Sequence, residues 1–148
     1  MDSYTNSFST QAAPKDVYNA LTTYDGLSSW WTKTIELYSH VGGIATFHFG
    51  KKDYVVMKIA KLAPHKEVVW KCVEQFFKIK GSAKTDEWVG TTVKFHITQN
   101  GDGSANLLFA HEGLTKKLRC YKLCEKGWNF YLKSLKLYLE KGKGKPYK

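Results

Sequence analysis

Thr91-Thr92-Val93-Lys94-Phe95-His96-Ile97-Thr98-Gln99-Asn100-Gly101-Asp102-Gly103-Ser104-Ala105-Asn106-Leu107-Leu108-Phe109-Ala110-His111 reads as two strands joined by a tight turn. Thr91, Val93, Phe95 and Ile97 alternate with Lys94, His96 and Thr98, which gives one apolar and one polar face. Asn100-Gly101-Asp102-Gly103 is the strongest hairpin signal in the chain, because Asn and Gly tolerate the positive φ that such turns require. Beyond it Leu107, Phe109 and His111 share a face against Leu108 and Ala110.

The same alternation runs back toward the N-terminus. Val68, Trp70 and Cys72 oppose Lys71, Val55, Met57 and Ile59 oppose Lys58, and Ala45, Phe47 and Phe49 oppose Thr46 and His48. Gly50-Lys51-Lys52-Asp53 and Ala63-Pro64-His65-Lys66 supply turns between them. Residues 74–87 carry Phe76, Phe77 and Ile79 and then Gly81-Ser82-Ala83-Lys84, a strand end running into a loop. Residues 4–10 are β-prone. Pro14 then opens a helix carrying Val17, Leu21 and Tyr24, Thr23-Tyr24-Asp25-Gly26 breaks it, and Leu27 to Trp31 forms a second short helix. Of the adjacent Trp30 and Trp31, one is expected in the core and the other at an edge or mouth. Past the hairpin, the period returns to 3.6. Cys124, Trp128, Tyr131, Leu135, Tyr138 and Leu139 fall on one side, Lys122, Lys126, Lys133 and Lys136 on the other, and Gly142-Lys143-Gly144-Lys145-Pro146 stops the helix. The expected fold is α+β: a curved antiparallel sheet of six to seven strands, two short helices and one long C-terminal helix.

With 148 residues, 43% hydrophobic and 24% charged, the chain reads as a single domain over 1–148 with enough length to bury a core. Its net charge of +10 is unevenly placed: residues 1–115 hold 12 basic and 11 acidic side chains, whereas 116–148 hold 11 basic residues against Glu125 and Glu140. Cys72, Cys120 and Cys124 make an odd count without a Cys-x-x-Cys pair, which argues against a disulfide framework and for a reducing compartment. Neither a signal peptide nor a membrane-spanning apolar run is present, so a cytoplasmic location is expected.

A long helix laid across a curled sheet leaves space beneath it. The residues expected to face that space are Phe47, Phe49, Met57, Trp70, Phe95, Phe109 and His111 from the sheet, and Trp128, Leu132 and Leu135 from the helix. With Trp31 they form a candidate site for a small hydrophobic ligand, His111 serving as polar anchor. The same side chains packed against one another would make a solid core.

Several motifs resemble the SRPBCC, or START-like helix-grip, superfamily, and within it the group of activators of a heat-shock chaperone ATPase. They are Ala13-Pro14-Lys15-Asp16-Val17-Tyr18-Asn19-Ala20-Leu21-Thr22-Thr23, Trp30-Trp31, Gly42-Gly43, and Leu62-Ala63-Pro64-His65-Lys66-Glu67-Val68-Val69-Trp70, followed by Glu87-Trp88-Val89-Gly90-Thr91 and Phe109-Ala110-His111-Glu112-Gly113-Leu114. The resemblance spans nearly the whole chain. It implies a helix-grip (START/Bet v 1-like) fold with an internal apolar cavity, and three function classes: binding of lipids or other hydrophobic ligands, a chaperone partnership in the stress response, or cyclase-type chemistry. The eukaryotic activators also carry a separate N-terminal chaperone-binding domain, which nothing in these 148 residues matches.

Titratable groups give little for catalysis. His111 is the one candidate acid or base, and Glu112 beside it points to the other face of the strand. No residue is assigned a catalytic role. His40, His48, His65 and His96 are scattered without metal-ligand spacing, so no metal or cofactor is expected. Lys122, Lys126, Lys133 and Lys136 form a candidate partner surface for a chaperone or other acidic protein. Specific nucleic-acid readout is not expected, since 22 of 23 basic residues are lysine and Arg119 is the lone guanidinium. The assembly is expected to be a monomer or weak dimer.

Overall fold

The computed structural model describes residues 3–78 and 84–148. The elements run β1 (Ser3–Thr10), α1 (Pro14–Thr22), α2 (Tyr24–Trp30), β2 (Thr34–Leu37), β3 (Ile44–Phe49), β4 (Asp53–Ala63), β5 (Glu67–Phe76), β6 (Thr92–Gln99), β7 (Ala105–Glu112) and α3 (Tyr121–Lys141). All seven strands form one sheet in the order β1-β7-β6-β5-β4-β3-β2, antiparallel at every pairing. Because β1 and β2 lie on opposite edges, α1 and α2 must cross the sheet between them. This is the α+β fold that the alternation and the terminal helix predict, in the helix-grip arrangement that the family resemblance implies.

The quoted hairpin pairs Phe95 with Phe109 and Val93 with His111. The inward set is buried: Phe47, Val55, Met57, Val93 and Phe95 are each fully inaccessible, and Trp70 and Phe109 are nearly so. Register shifts between Val56 and Met57, and between Ile59 and Lys61, mark bulges in β4 that bend the sheet around its helices.

Three details differ from the sequence reading. The seventh strand is β2, where Ile35 and Leu37 alternate with Thr34 and Glu36; four residues are too few for a clear period. The second helix starts at Tyr24 rather than Leu27. Thr23 is extended and its Oγ1 accepts the Gly26 N–H at 3.0 Å, so the three residues after it are the capped first turn of α2 rather than a break. A side chain at Gly26 would put its Cβ 2.5 Å from the Ala20 Cα, so glycine is what lets α2 lie against α1. In the predicted strand end over 74–87, β5 reaches Phe76; Ile79, Gly81, Ser82 and Ala83 lie outside the described residues.

The long helix has no cap of its own at Cys120. The Glu87 carboxylate supplies one from the chain before β6, accepting the N–H groups of Arg119 at 3.0 Å and Cys120 at 2.9 Å, where an anion also suits the helix dipole. At the other end, Gly142 at φ +77° closes the helix by donating its N–H to the Tyr138 carbonyl.

Candidate functional site

Between sheet and α3, aromatic rings fill most of the space the fold encloses. Trp31 follows the last residue of α2 and stacks on three tryptophans: Trp30 (centroids 5.8 Å apart), Trp70 (5.8 Å) and Trp128 (5.3 Å). Phe47 lies 4.3 Å from it. Phe109 meets Trp128 at 4.5 Å and Phe95 at 5.1 Å. Both adjacent tryptophans are therefore buried. Trp30 ties α2 to α1 by donating its Nε1–H to the Ala20 carbonyl at 2.8 Å, and Trp31 reaches the centre of the molecule.

His111 sits among these rings with no accessible surface. Trp128 donates its Nε1–H to Nδ1 at 3.1 Å. Thr91 Oγ1 lies 2.7 Å from Nε2 and is itself 2.6 Å from the Trp88 carbonyl. Since that hydroxyl has one hydrogen and gives it to the carbonyl, Nε2 carries the imidazole proton and Nδ1 is the acceptor. Both ring nitrogens are thus engaged, and burial pushes the histidine pKa down to about 3, keeping the ring neutral.

The space left over forms a cavity of about 340 Å3 at one end of α3. Trp31, Trp88 and Trp128 form its floor, Phe49, Phe77 and Tyr131 its sides, and Leu123, Cys124, Gly127 and Tyr147 complete the wall. Among the described residues, Asp53 and Lys78 are the charged ones that line it. Phe49 meets Trp31, Phe77, Tyr131 and Tyr147 with centroids 5.5 to 6.3 Å apart, so each wall braces the next. Trp88 stacks on Trp128 at 5.7 Å and donates its indole N–H to the Cys124 Sγ at 3.3 Å. Cys124 is held in its thiol form by its hydrogen bond to Cys120 and by burial. Burial likewise pushes the Tyr131 hydroxyl pKa up.

Of the residues predicted for a ligand site, Trp31, Phe49 and Trp128 line this cavity. Phe47, Met57, Trp70, Phe95, Phe109, His111, Leu132 and Leu135 are buried in the core behind those walls and do not line the cavity. Trp88, Phe77, Tyr131, Gly127 and Tyr147 are wall residues outside that prediction. Tyr131 carried a signal, lying on the inward face of the terminal helix. Trp88 did not, because it precedes β6 in a stretch without alternation that could assign it a face. Lys122, Lys126 and Lys133 are exposed on α3, and Lys136 is half-buried there. Among the described residues, no group of three or more His, Cys, Asp or Glu is placed to hold a metal ion, and no helix is long and apolar enough to cross a membrane.

A curved antiparallel sheet gripped by a long C-terminal helix, with an apolar cavity at the helix, defines a helix-grip domain. The chain belongs to the Activator of Hsp90 ATPase homolog 1-like protein family, whose model matches residues 11–140. Its fold is similar to the solution structure of the Aha1 dimer from Colwellia psychrerythraea, with 30% identity and a TM-score of 0.80 over 97% of this chain and 100% of that one. It is also similar to the crystal structures of MLL2253 from Mesorhizobium loti (16% identity, TM-score 0.77, 93% of this chain and 96% of that) and CV1439 from Chromobacterium violaceum (18%, 0.73, 95% and 99%). At those identities the last two show the fold alone. No curated protein sequence matches this chain.

Proposed function

We propose that this protein is a non-enzymatic binding domain that takes a small apolar molecule into the cavity beside α3. The observation that carries the reading is the contrast between a tightly stacked aromatic core and one void of about 340 Å3 within reach of solvent, bordered mostly by rings. Its volume falls at the lower end of small-molecule sites, enough for a compact aromatic or branched aliphatic ligand. His111 has no face on this cavity and no free ring nitrogen, so the proposal assigns it no acid–base step and no contact with the ligand.

Gly127 gives a direct test. It lines the cavity in mid-helix, and a Cβ built on it meets nothing within 4 Å. Gly127→Leu is expected to fill the void while keeping the fold, since replacing a helical glycine removes about 0.5–1 kcal/mol of backbone entropy cost. The neutral probe N-phenyl-1-naphthylamine should brighten on binding the parent protein and stay dark with the variant, whose melting temperature should not fall. Equal brightening of both would place the probe elsewhere and end this reading.

A second reading rests on family membership: a co-chaperone-like role in which Lys122, Lys126, Lys133 and Lys136 meet an acidic chaperone surface. Such docking should weaken sharply with salt and with Lys126→Glu plus Lys133→Glu. A pull-down of the chaperone indifferent to both would dismiss it. The Colwellia relative is described as a dimer, and we extend to this chain a monomer or weak dimer.

A further inference from the structure

We propose that the cleft between the C-terminal ends of α2 and α3 binds a short oligophosphate chain. This cleft, of about 960 Å3, lies on the other side of Tyr131 and Tyr147 from the apolar cavity, and its walls include Lys33, Lys143, Lys145 and Lys148 but, among the described residues, no Asp or Glu side chain. Lys33 and the other three are more than a hundred positions apart, so only the folded chain brings them together.

The tail that carries three of these lysines is built into the fold. Lys145 N–H donates to Ser134 Oγ at 2.7 Å, whose own hydrogen goes to the Trp30 carbonyl at 2.8 Å. Tyr147 donates its N–H to the Trp31 carbonyl at 2.8 Å and accepts the Lys33 N–H at 3.1 Å. At Gly144 a Cβ would lie 2.6 Å from the Ser29 carbonyl, so only glycine lets the tail run this close. The tail is thus pinned to the end of α2 with its lysines around one concave space.

Positive charge is in excess in that space. Among the described residues none of the four lysines forms an ion pair. The two helix C-termini that meet here contribute roughly half a negative charge each and the α-carboxylate of Lys148 one more, about two in total against four positive charges. Holding like charges together costs free energy that a bound polyanion repays. Lysine binds phosphate as a point charge, and three or four negative charges within a few ångströms match an oligophosphate, whereas a flat membrane surface does not enter a cleft.

The test is titration of the isotope-labelled full chain with sodium tripolyphosphate, and separately with metal-free adenosine triphosphate, followed by amide chemical shifts. Saturable shifts centred on Lys33, Lys145 and Tyr147 are expected. Lys33→Glu plus Lys145→Glu should weaken binding by roughly tenfold per lysine, as loss of charge-assisted hydrogen bonds does. Lys58→Glu plus Lys71→Glu, on the outer face of β4 and β5, should leave it unchanged. A tighter response to adenosine triphosphate would identify a nucleotide as the source of the phosphates, and an equal one a free phosphate chain. Silence toward both anions overturns the proposal, as do shifts spread equally over Lys58 and Lys71. Binding of an acidic peptide or of phosphatidylserine vesicles at this face without tripolyphosphate binding overturns it as well.

Discussion

Replacing His111 with alanine is expected to lower the unfolding free energy by about 4 kcal/mol, the sum of a cavity in the packed core and one stranded indole N–H. The indole N–H of Trp128 would lose its acceptor, while the Thr91 hydroxyl would lose the ring N–H it accepts and keep its bond to the Trp88 carbonyl. Denaturant unfolding measures this, and a loss below about 1 kcal/mol would refute the network. The same histidine sets a pH dependence. Its folded pKa of about 3 lies below the unfolded value near 6.5, so between those limits the unfolded chain binds a proton that the native ring refuses. The stabilisation is therefore complete above pH 6.5 and is lost as pH falls toward 3, at about 1.4 kcal/mol per pH unit from this one group. His111→Gln, which keeps a donor and an acceptor, should flatten the slope between pH 6.5 and 5, above the range where carboxylates titrate. An unchanged slope would mean that the ring already protonates in the native state.

Trp31→Ala should cost a comparable amount, about 3–5 kcal/mol, as large-to-small changes of buried aromatics do. Trp31 is the ring on which Trp30, Trp70, Trp128 and Phe47 converge, so no single neighbour can move in to fill its place. It also forms part of the cavity floor, and its removal should merge that void with the new space. The variant is expected to melt lower than the parent but to regain part of the loss when saturated with N-phenyl-1-naphthylamine, because a ligand that binds only the native state raises its stability. A variant that melts like the parent would show that the tryptophan stack contributes little.

Much of the molecule follows from local chemistry. The alternation in 91–111 and the Asn-Gly turn were enough to define β6, β7 and their shared inner face, because a strand's two-residue period assigns each side chain a side without reference to anything else. The 3.6-residue period in 121–141 likewise assigned Cys124, Trp128 and Leu135 inward and Lys122, Lys126 and Lys133 outward. β2 is too short to show a period, and the capped start of α2 reads as a break in the sequence because Thr23 and Gly26 are turn formers as well as cap and contact residues.

Position within the core was a different matter. That Phe47, Met57, Trp70, Phe95 and Phe109 face inward was readable; whether they meet a void or one another was not, because the outcome depends on how closely α2 and α3 approach the sheet. Trp31 decides it by filling the centre, which leaves the remaining space at the Phe49 and Trp88 end. His111 shows the same division: its burial was evident from its strand neighbours, but its two hydrogen-bond partners come from a loop and from a helix that only the folded chain brings to it. The order of elements and the face each presents are local properties, since both arise from period and turn chemistry within a few residues. The tertiary structure alone decided where empty space and unpaired charge would remain, since those are differences between surfaces that meet from distant parts of the chain.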